Sequence, residues 1–470
     1  MPLITEILAE ASTLVEPDER ERRLVSETAK RLLSVCRDEF QQLEGVVDIS
    51  VEGSVAKDTW VKGKAEVDIF IHFKPEVGRQ GLEAAVLSAG GRVIERLSGR
   101  HWLRYASHPY VEGEVSGIRV NIVGCFKAEP GRWISAVDRT PYHTAFVNSR
   151  LTPELRRDIR LFKGFLIGCG LYGAEIRVEG FSGYLSELLV LSHGGFLETV
   201  RRASSWRMPV FIDMAGRLRL EEALKLFPKA PLIFNDPVDP SRNVAAAVSE
   251  SKLAEFILAC KIFNSSPSLS FFQPPKPWGK ELAADVGSRN LLGIAFTVER
   301  RQPPDILWGE IKHTLRGFAR RLEKEGFQVY RCDAWQLSDE VVLLYELSSL
   351  SLPENVLKVG PPVWMDNSLE FIEKTMSRPN RVAGPWVEGE RLYSIVRRDE
   401  SSAEQLLRSW IKRREVAISK ELLNSVERGE ILTSRTGLVE RLSRDKGHEA
   451  LLREFLEGIA TPIRHWIKRC

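Results

Sequence analysis

The sequence predicts a multidomain protein that combines α/β, helical and α+β parts, with a mixed or antiparallel sheet near its amino terminus. Its 470 residues suffice for roughly three domains of about 100–200 residues each. Alternating polar and apolar residues, which are typical of strands, occur before residue 130. Helical patterns dominate from about residue 152 to residue 263, and strand-like and helical patterns then alternate.

The amino-terminal elements come first. Residues 21–44 have apolar side chains near helical spacing, and residues 46–51, 66–73 and 117–123 have the pattern of strands. In the second strand Val67 and Ile69 alternate with Glu66 and Asp68, so one face is apolar and the other acidic. We therefore expect a first domain over residues 1–150.

The remaining elements predict three further domains. A capping Thr152 followed by Pro153 starts a helical domain over residues 151–263. The segment 264–278 is rich in Ser and Pro, which is typical of a linker. Strands and a helix follow, and they predict an α+β domain over 264–400, before a helical tail over 401–470.

Composition excludes several classes of protein. The hydrophobic fraction of 43% and charged fraction of 28% are typical of globular proteins. The net charge is 67 − 64 = +3, so any basic surface for nucleic acid must be local. The six cysteines lack CxxC spacing, which argues against a zinc ribbon or disulfide framework and fits a cytoplasmic location. No run of about 18 apolar residues predicts a membrane span.

One group of residues has the arrangement expected of a catalytic site. Gly53-Ser54 leaves a strand in a turn that can offer backbone N–H groups and a hydroxyl to a phosphate. Glu66 and Asp68 then lie at positions i and i+2 on one strand face, where their oxygens can bind Mg²⁺. Each feature alone is common in turns and solvated strands. Their joint spacing favours phosphoryl or nucleotidyl transfer.

The segment 53–73 resembles the active-site motif of the DNA polymerase β-type nucleotidyltransferase superfamily. In detail the chain resembles the archaeal class I CCA-adding enzymes, which are tRNA nucleotidyltransferases. The resemblance is strong over residues 20–280 and includes five further segments in the family's order: 138–143, 161–166, 171–175, 180–185 and 236–246.

The resemblance implies a nucleotidyltransferase palm, a helical neck that binds the nucleotide, an α+β body and a helical tail. It implies Mg²⁺-dependent, template-free addition of C, C and A to the 3′ end of tRNA from CTP and ATP, with release of pyrophosphate. Glu66 and Asp68 would bind the metals and act in catalysis. The residues that would bind the nucleotide are Gly53, Ser54, Lys57, Thr140, His143, Lys163, Tyr172 and Arg242.

Three of these residues also have structural interpretations. Lys163 would otherwise be a solvated helix charge, and Tyr172 would be a packing aromatic at a helix end. Arg242 would otherwise cap a helix or pair with Asp239.

Two positions depart from the family. The family usually has Arg where Lys57 stands, so the grip on phosphate should weaken modestly. Asn121 occupies the position of the third metal-binding carboxylate, and Arg119 adds positive charge on the same face. Losing that carboxylate would slow transfer by roughly 10²–10³-fold.

Two other functions are therefore open at this point. Asn121 is compatible with a catalytically weakened or inactive tRNA-binding paralogue, or an engineered variant, of the same fold. A related nucleotidyltransferase that makes oligoadenylate or another tail is the other option.

The carboxy-terminal half is expected to hold the acceptor stem and TΨC arm of tRNA. Such binding depends on phosphate and 2′-hydroxyl contacts and so needs a local basic surface. The candidate residues are Lys412, Arg413, Arg414, Lys468 and Arg469, with Arg464 beside the last two. The sequence does not reveal the oligomeric state, and a homodimer is one option.

Overall fold

The computed structural model describes residues 4–104, 110–273, 286–299 and 302–467. The chain divides into two compact units. The first comprises residues 1–276 and 459–470, and the second comprises residues 277–458.

The first unit contains ten helices and seven strands among its described residues before the chain enters the second unit. In chain order they are α1 (Ile4–Val15), α2 (Glu19–Phe40), β1 (Val46–Glu52), α3 (Gly53–Lys57), β2 (Glu66–Phe73), α4 (Gly78–Arg96), β3 (Arg100–Arg104), β4 (Tyr110–Val115), β5 (Ile118–Phe126), α5 (Thr140–Asn148), α6 (Pro153–Gly168), α7 (Gly183–His193), α8 (Phe196–Ala203), β6 (Val210–Ile212), α9 (Leu220–Leu226), β7 (Leu232–Phe234) and α10 (Glu250–Ser265).

A mixed five-stranded sheet organises the amino-terminal part, with the strand order β1-β2-β5-β4-β3. β2 and β5 pair in parallel, and the other neighbours pair antiparallel. The apolar residues of β2, which include Val67 and Ile69, are fully buried against α2 and α4. The predicted alternation is confirmed, and the opposite face of β2 is left for Glu66 and Asp68.

A second core holds the helices of the first unit together. α6 is central, since Phe162 and Phe165 pack against a cluster of aromatic rings from α8 and α10. The predicted start of α6 is confirmed, because the Thr152 hydroxyl accepts a hydrogen bond from the backbone N–H of Leu155 and Pro153 is the first helical residue. This packing fixes the side chains that α6 and α7 direct toward the sheet.

The second unit is an α+β structure. Its elements in chain order are β8 (Leu291–Thr297), α11 (Pro304–Glu325), β9 (Val329–Leu337), β10 (Glu340–Leu347), β11 (Asn355–Pro362), α12 (Ser368–Met376), β12 (Arg381–Glu388), β13 (Arg391–Arg397), α13 (Ala403–Arg413), α14 (Leu423–Glu427), β14 (Glu430–Thr433), α15 (Leu438–Ser443) and α16 (Lys446–Glu457). One antiparallel sheet has the order β14-β8-β10-β9, and a smaller one has the order β11-β13-β12. The final helix, α17 (Thr461–Ile467), belongs to the first unit.

The four predicted domains stay a prediction, and one detail of the expected helical tail differs. β14 lies within that tail and adds an edge strand to the sheet formed by β8, β10 and β9. Residues 274–278 of the predicted linker lie outside the described residues. The described cysteines are free thiols. No described helix has the length and apolar character needed to cross a membrane.

Candidate active site

The backbone turn after β1 lies very close to a carboxylate of β2. Gly53 has a φ of +72°, and a Cβ atom built on it would lie only 2.1 Å from Asp68 Oδ2. A side chain at this position would therefore collide with the carboxylate. The glycine lets the Gly53-Ser54 turn approach Asp68, as the sequence pattern indicates.

The register of β2 and β5 sets the partners of the two carboxylates. Glu66 lies beside Arg119, and Asp68 lies beside Asn121. The Arg119 guanidinium is 2.8 Å from Glu66 Oε1. The Asn121 side-chain amide donates a hydrogen bond to Asp68 Oδ1 at 2.8 Å. Arg119 and Asn121 therefore occupy the face on which a cation would sit.

The electrostatics of Asp68 fit a cation ligand. Burial raises the pKa of Asp68 to about 6; the Asn121 hydrogen bond opposes this shift and the charge of Glu66 adds to it. The two carboxylates are hard oxygen donors, and Asp68 has a neutral amide rather than a cation as its hydrogen-bond partner, so the donor set fits a divalent metal ion. Among the described residues no group of three or more His, Cys, Asp or Glu side chains is placed to hold a metal.

A cavity of about 480 Å³ opens next to these carboxylates. Five of the predicted site residues line it: Ser54, Glu66, Asp68, Lys163 and Tyr172. Lys64, Arg119 and Glu175 complete the charged part of the wall. The cavity therefore brings together the predicted metal ligands and part of the predicted nucleotide site.

Lys57 and Lys163 share a buried acid that the sequence pattern did not single out. Glu187 on α7 accepts from Lys57 Nζ at 2.6 Å, from Lys163 Nζ at 2.9 Å and from the Thr59 hydroxyl at 2.6 Å. Burial raises the pKa of Glu187, but the two lysines outweigh this effect and the net shift is downward. Lys163 is only 1% exposed, so its interpretation as a solvated helix charge is wrong.

The signal for Glu187 is present in the sequence. It is a lone acid within an apolar stretch of α7 whose neighbours Leu185, Leu188 and Leu189 are fully buried. A charged residue at such a position needs a buried partner. The identity of that partner depends on tertiary packing, which the sequence pattern does not provide.

His143 and Arg242 meet at a second buried acid, Asp236. His143 Nε2 lies 3.0 Å and Arg242 Nη1 lies 2.8 Å from Asp236 Oδ2. Burial raises the pKa of Asp236, but His143, Arg242 and the Val238 backbone N–H outweigh it and hold the pKa at about 2. The interpretation that Arg242 pairs with Asp239 is wrong, because Asp239 binds a different arginine, Arg139, at 2.6 Å.

Tyr184 lies between the two groups of residues. Its ring stacks on His143 with centroids 4.1 Å apart, and Lys57 Nζ lies 5.9 Å from the Tyr184 ring centroid. Arg242 lines a separate cavity of about 720 Å³ together with Arg139.

Two predicted residues have mainly structural surroundings. Thr140 is the half-buried first residue of α5, one turn before His143. Tyr172 is half-buried and its segment forms an isolated bridge with Phe181. Tyr172 therefore both packs against the core and lines the cavity beside Asp68.

The structure describes three of the five residues that are expected to bind RNA. Lys412, Arg413 and Arg414 are exposed at the carboxy-terminal end of α13. Arg413 lines a cavity of about 480 Å³ in the second unit, whose other basic residues are Arg321, Lys358, Arg378, Arg397 and Arg398.

The candidates near the carboxy terminus give less support to a basic RNA-binding surface. Lys468 and Arg469 lie outside the described residues. Arg464 is 5% exposed and donates to the carbonyl of Ile459. The expectation that Arg464 belongs to an exposed basic surface is therefore wrong.

Three family models match this chain. Residues 33–143 match a family model described as nucleotidyltransferase domain, and residues 157–273 match one described as tRNA nucleotidyltransferase, second domain. Residues 289–434 match the model CCA-adding enzyme, C-terminal domain. The CCA-adding enzyme of Saccharolobus shibatae is 35% identical over 86% of this chain and 91% of its own length. The chain belongs to the CCA-adding enzyme family.

Two other CCA-adding enzymes are similar to this chain over most of its length. The CCA-adding enzyme of Pyrobaculum neutrophilum is 38% identical over 87% of this chain and 94% of its own length. The CCA-adding enzyme of Pyrobaculum islandicum is 37% identical over 87% of this chain and 94% of its own length. The resemblance and the fold class inferred from the sequence are confirmed. An inactive tRNA-binding paralogue is not favoured by these matches, whereas the effect of Asn121 stays a prediction.

Proposed function

We propose that this protein is a CCA-adding tRNA nucleotidyltransferase, which adds C, C and A to the 3′ end of tRNA from CTP and ATP without a nucleic-acid template. The observation that carries the proposal is one cavity that joins a carboxylate pair, a Gly-Ser turn and Lys163. The CCA-adding enzymes to which this chain is similar align with it over nearly their whole length.

The residues of the sheet face would bind the triphosphate and the divalent cation, which we propose to be Mg²⁺. Glu66 and Asp68 would hold the cation, and Asn121 fixes the orientation of Asp68 through its amide. The cation supplies charge neutralisation for the phosphates and lowers the pKa of the attacking hydroxyl. Ser54 and the backbone N–H groups of its turn would bind phosphate oxygens.

The nucleobase would be recognised at the His143 cluster. Asp236 is fully buried and holds the His143 ring and the Arg242 guanidinium in place. The Arg242 side chain keeps about a third of its surface exposed, so it can still donate hydrogen bonds to a base. Because the buried acid already orders these side chains, they lose little further conformational entropy when the base binds.

The reaction then needs only positioning of two substrates. The 3′-hydroxyl oxygen of tRNA attacks the α-phosphorus of CTP or ATP and gives up its proton to water, the new P–O bond forms, and pyrophosphate leaves with the electrons of the broken P–O bond. Lys163 contributes positive charge to the cavity wall, and Glu187 holds it there. No covalent enzyme intermediate is involved.

The remainder of the chain would hold the tRNA. We propose that Lys412, Arg413 and Arg414 contact the acceptor stem and TΨC arm, together with Lys468 and Arg469. A titration of tRNA binding with salt checks this, since neutralised phosphates give a negative slope of log affinity against log salt. The homodimer and the cytoplasmic location stay predictions.

Nucleotide addition to a tRNA transcript that lacks its CCA end tests the function. With Mg²⁺, CTP and ATP, we expect two C additions followed by one A, and none with Asp68→Ala. Addition of A from ATP alone, without prior C, would instead support an enzyme that makes an oligoadenylate tail. Binding of tRNA with no addition by the unmodified protein would contradict the proposal.

A further inference from the structure

Glu52 is a buried carboxylate that none of the roles above uses. It is the last residue of β1 and is only 5% exposed. Among the described residues its Oε2 atom has no hydrogen-bond partner, and no ion pair involves Glu52. A buried carboxylate oxygen without a partner costs free energy, so it needs an explanation such as a bound ion.

The other oxygen of Glu52 is held in place. The Ser50 hydroxyl donates to Glu52 Oε1 at 2.6 Å, and Ser50 Oγ is 2.8 Å from His72 Nε2. Because the hydroxyl hydrogen goes to Glu52, Ser50 accepts the N–H of a His72 ring protonated at Nε2. This chain of hydrogen bonds fixes the carboxyl group and leaves Oε2 without a hydrogen-bond partner among the described residues.

Sheet register places Glu52 beside the cation site. Glu52 lies directly opposite Asp68 in the antiparallel pair β1–β2, while Asn121 lies beside Asp68 in the parallel pair β2–β5. Residues opposite each other in neighbouring strands point to the same face, with Cβ atoms about 4.5–5.5 Å apart. Asp68 is thus flanked by a carboxylate on one side and by a neutral amide on the other.

We propose that Glu52 supports the divalent-cation site as its third negative charge, supplying from β1 the charge that Asn121 does not supply from β5, while Glu66 and Asp68 remain the cation ligands. The proposal rests on the proposed function, because it concerns the same site. It gives the charge of this buried carboxylate a role beside the cation. It also assigns a role to the Ser50–His72 pair, which positions Glu52.

Mn²⁺ binding to the free protein tests this assignment without tRNA or nucleotide. Titration followed by electron paramagnetic resonance of free Mn²⁺ gives the affinity. We expect Glu52→Gln to weaken Mn²⁺ binding by about tenfold, because it removes a full charge while keeping the shape. Asp48→Asn is the matched control, since it removes an exposed carboxylate from the same strand, and it should leave binding within twofold.

A second substitution separates loss of charge from loss of structure. In the double variant with Glu52→Gln and Asn121→Asp, the charge returns on the other flank of Asp68, and Mn²⁺ affinity should return to within about threefold of the unmodified protein. Asn121→Asp alone should improve binding by less than threefold, because Glu52 already provides the charge. Thermal unfolding of every variant checks that the fold is kept.

Two results would overturn the assignment. One is an unchanged Mn²⁺ affinity in a folded Glu52→Gln variant. The other is a loss of affinity that Asn121→Asp does not restore, which would make Glu52 a structural residue. CCA addition is measured separately: Mn²⁺ bound in a Glu52-dependent way without CCA addition would contradict the proposed function while leaving the role of Glu52 intact.

Discussion

The two acidic clusters of the first unit differ in how their charge is balanced. At the His143 cluster, Asp236 has three side chains (His143, Arg242 and Tyr184) and two backbone N–H groups as partners, and its pKa is lowered. At the sheet face, Asp68 has one neutral amide as a partner, and its pKa is raised. Asp236 is thus paired with charged and polar donors of the protein, whereas Asp68 has a neutral partner even though Arg119 pairs with the neighbouring Glu66.

This difference indicates what each cluster binds. A balanced, buried acid orients the donors around it and adds no net attraction for a cation, which suits a nucleobase. A buried carboxylate with a neutral partner gains more from a divalent ion. The same residue type, Asp, therefore has two roles that its surroundings decide.

Asp68→Ala should have the largest effect. It removes the central carboxylate of the sheet face, so we expect CCA addition to fall by about 10³-fold or more, since a metal-ligand term is worth several kcal/mol. Single-turnover addition to a tRNA transcript measures this. Asp48→Asn should retain full activity, and comparable activity of Asp68→Ala and the unmodified protein would remove Asp68 from the site.

Asp236→Asn should mainly affect stability, and in a pH-dependent way. The pKa of Asp236 is lowered from 3.8 to about 2, so its stabilisation is present above pH 4 and is lost as the pH falls through about 2. We expect a loss of about 2 kcal/mol in the free energy of unfolding at pH 7. Urea unfolding at several pH values measures the difference from the unmodified protein. That difference should shrink between pH 4 and pH 2, and a constant difference would contradict the lowered pKa.

Asn121→Asp should have a moderate effect. It restores a carboxylate beside Asp68, but Glu52 already places one on the other side, so we expect CCA addition to rise by less than about tenfold. Initial rates at saturating CTP and ATP measure the change. A rise of roughly 10²–10³-fold would show that position 121 alone had disabled the cation site.

Tyr184→Phe should have the smallest effect. It keeps the ring that stacks on His143 and removes only a hydroxyl 3.4 Å from Asp236. We expect the KM for CTP to rise by about twofold with kcat unchanged, because a long hydrogen bond contributes little. Tyr184→Ala, which also removes the stack, should raise KM by more. Equal effects of the two substitutions would mean that the ring does not organise the cluster.

The sequence predicts much of this molecule because its signals are local. The alternation in β2 and the capping at Thr152 follow from neighbouring residues, and both are confirmed. The Gly53-Ser54 turn and the acidic face of β2 belong to one short segment, so their proximity follows from the spacing of these residues along the chain.

Other parts of the site depend on tertiary packing. Glu187 meets Lys57 across 130 positions of the chain, and Arg242 binds Asp236 rather than Asp239 because of the turn that follows β7. Glu52 precedes the Gly53-Ser54 turn directly, yet only the pairing of β1 with β2 places it beside Asp68. Spacing along the chain does not encode these relations.

The Lys57–Glu187–Lys163 group has a consequence for how this sequence can change. Lys57 belongs to the sheet part and Glu187 and Lys163 to the helical part, and the acid has one buried cation from each. Loss of Glu187 would leave two buried lysines without their acid, whereas loss of either lysine would leave a neutral buried pair. A chimera that exchanges the sheet part with that of a relative should therefore tolerate a different residue at position 57 better than it tolerates the loss of Glu187.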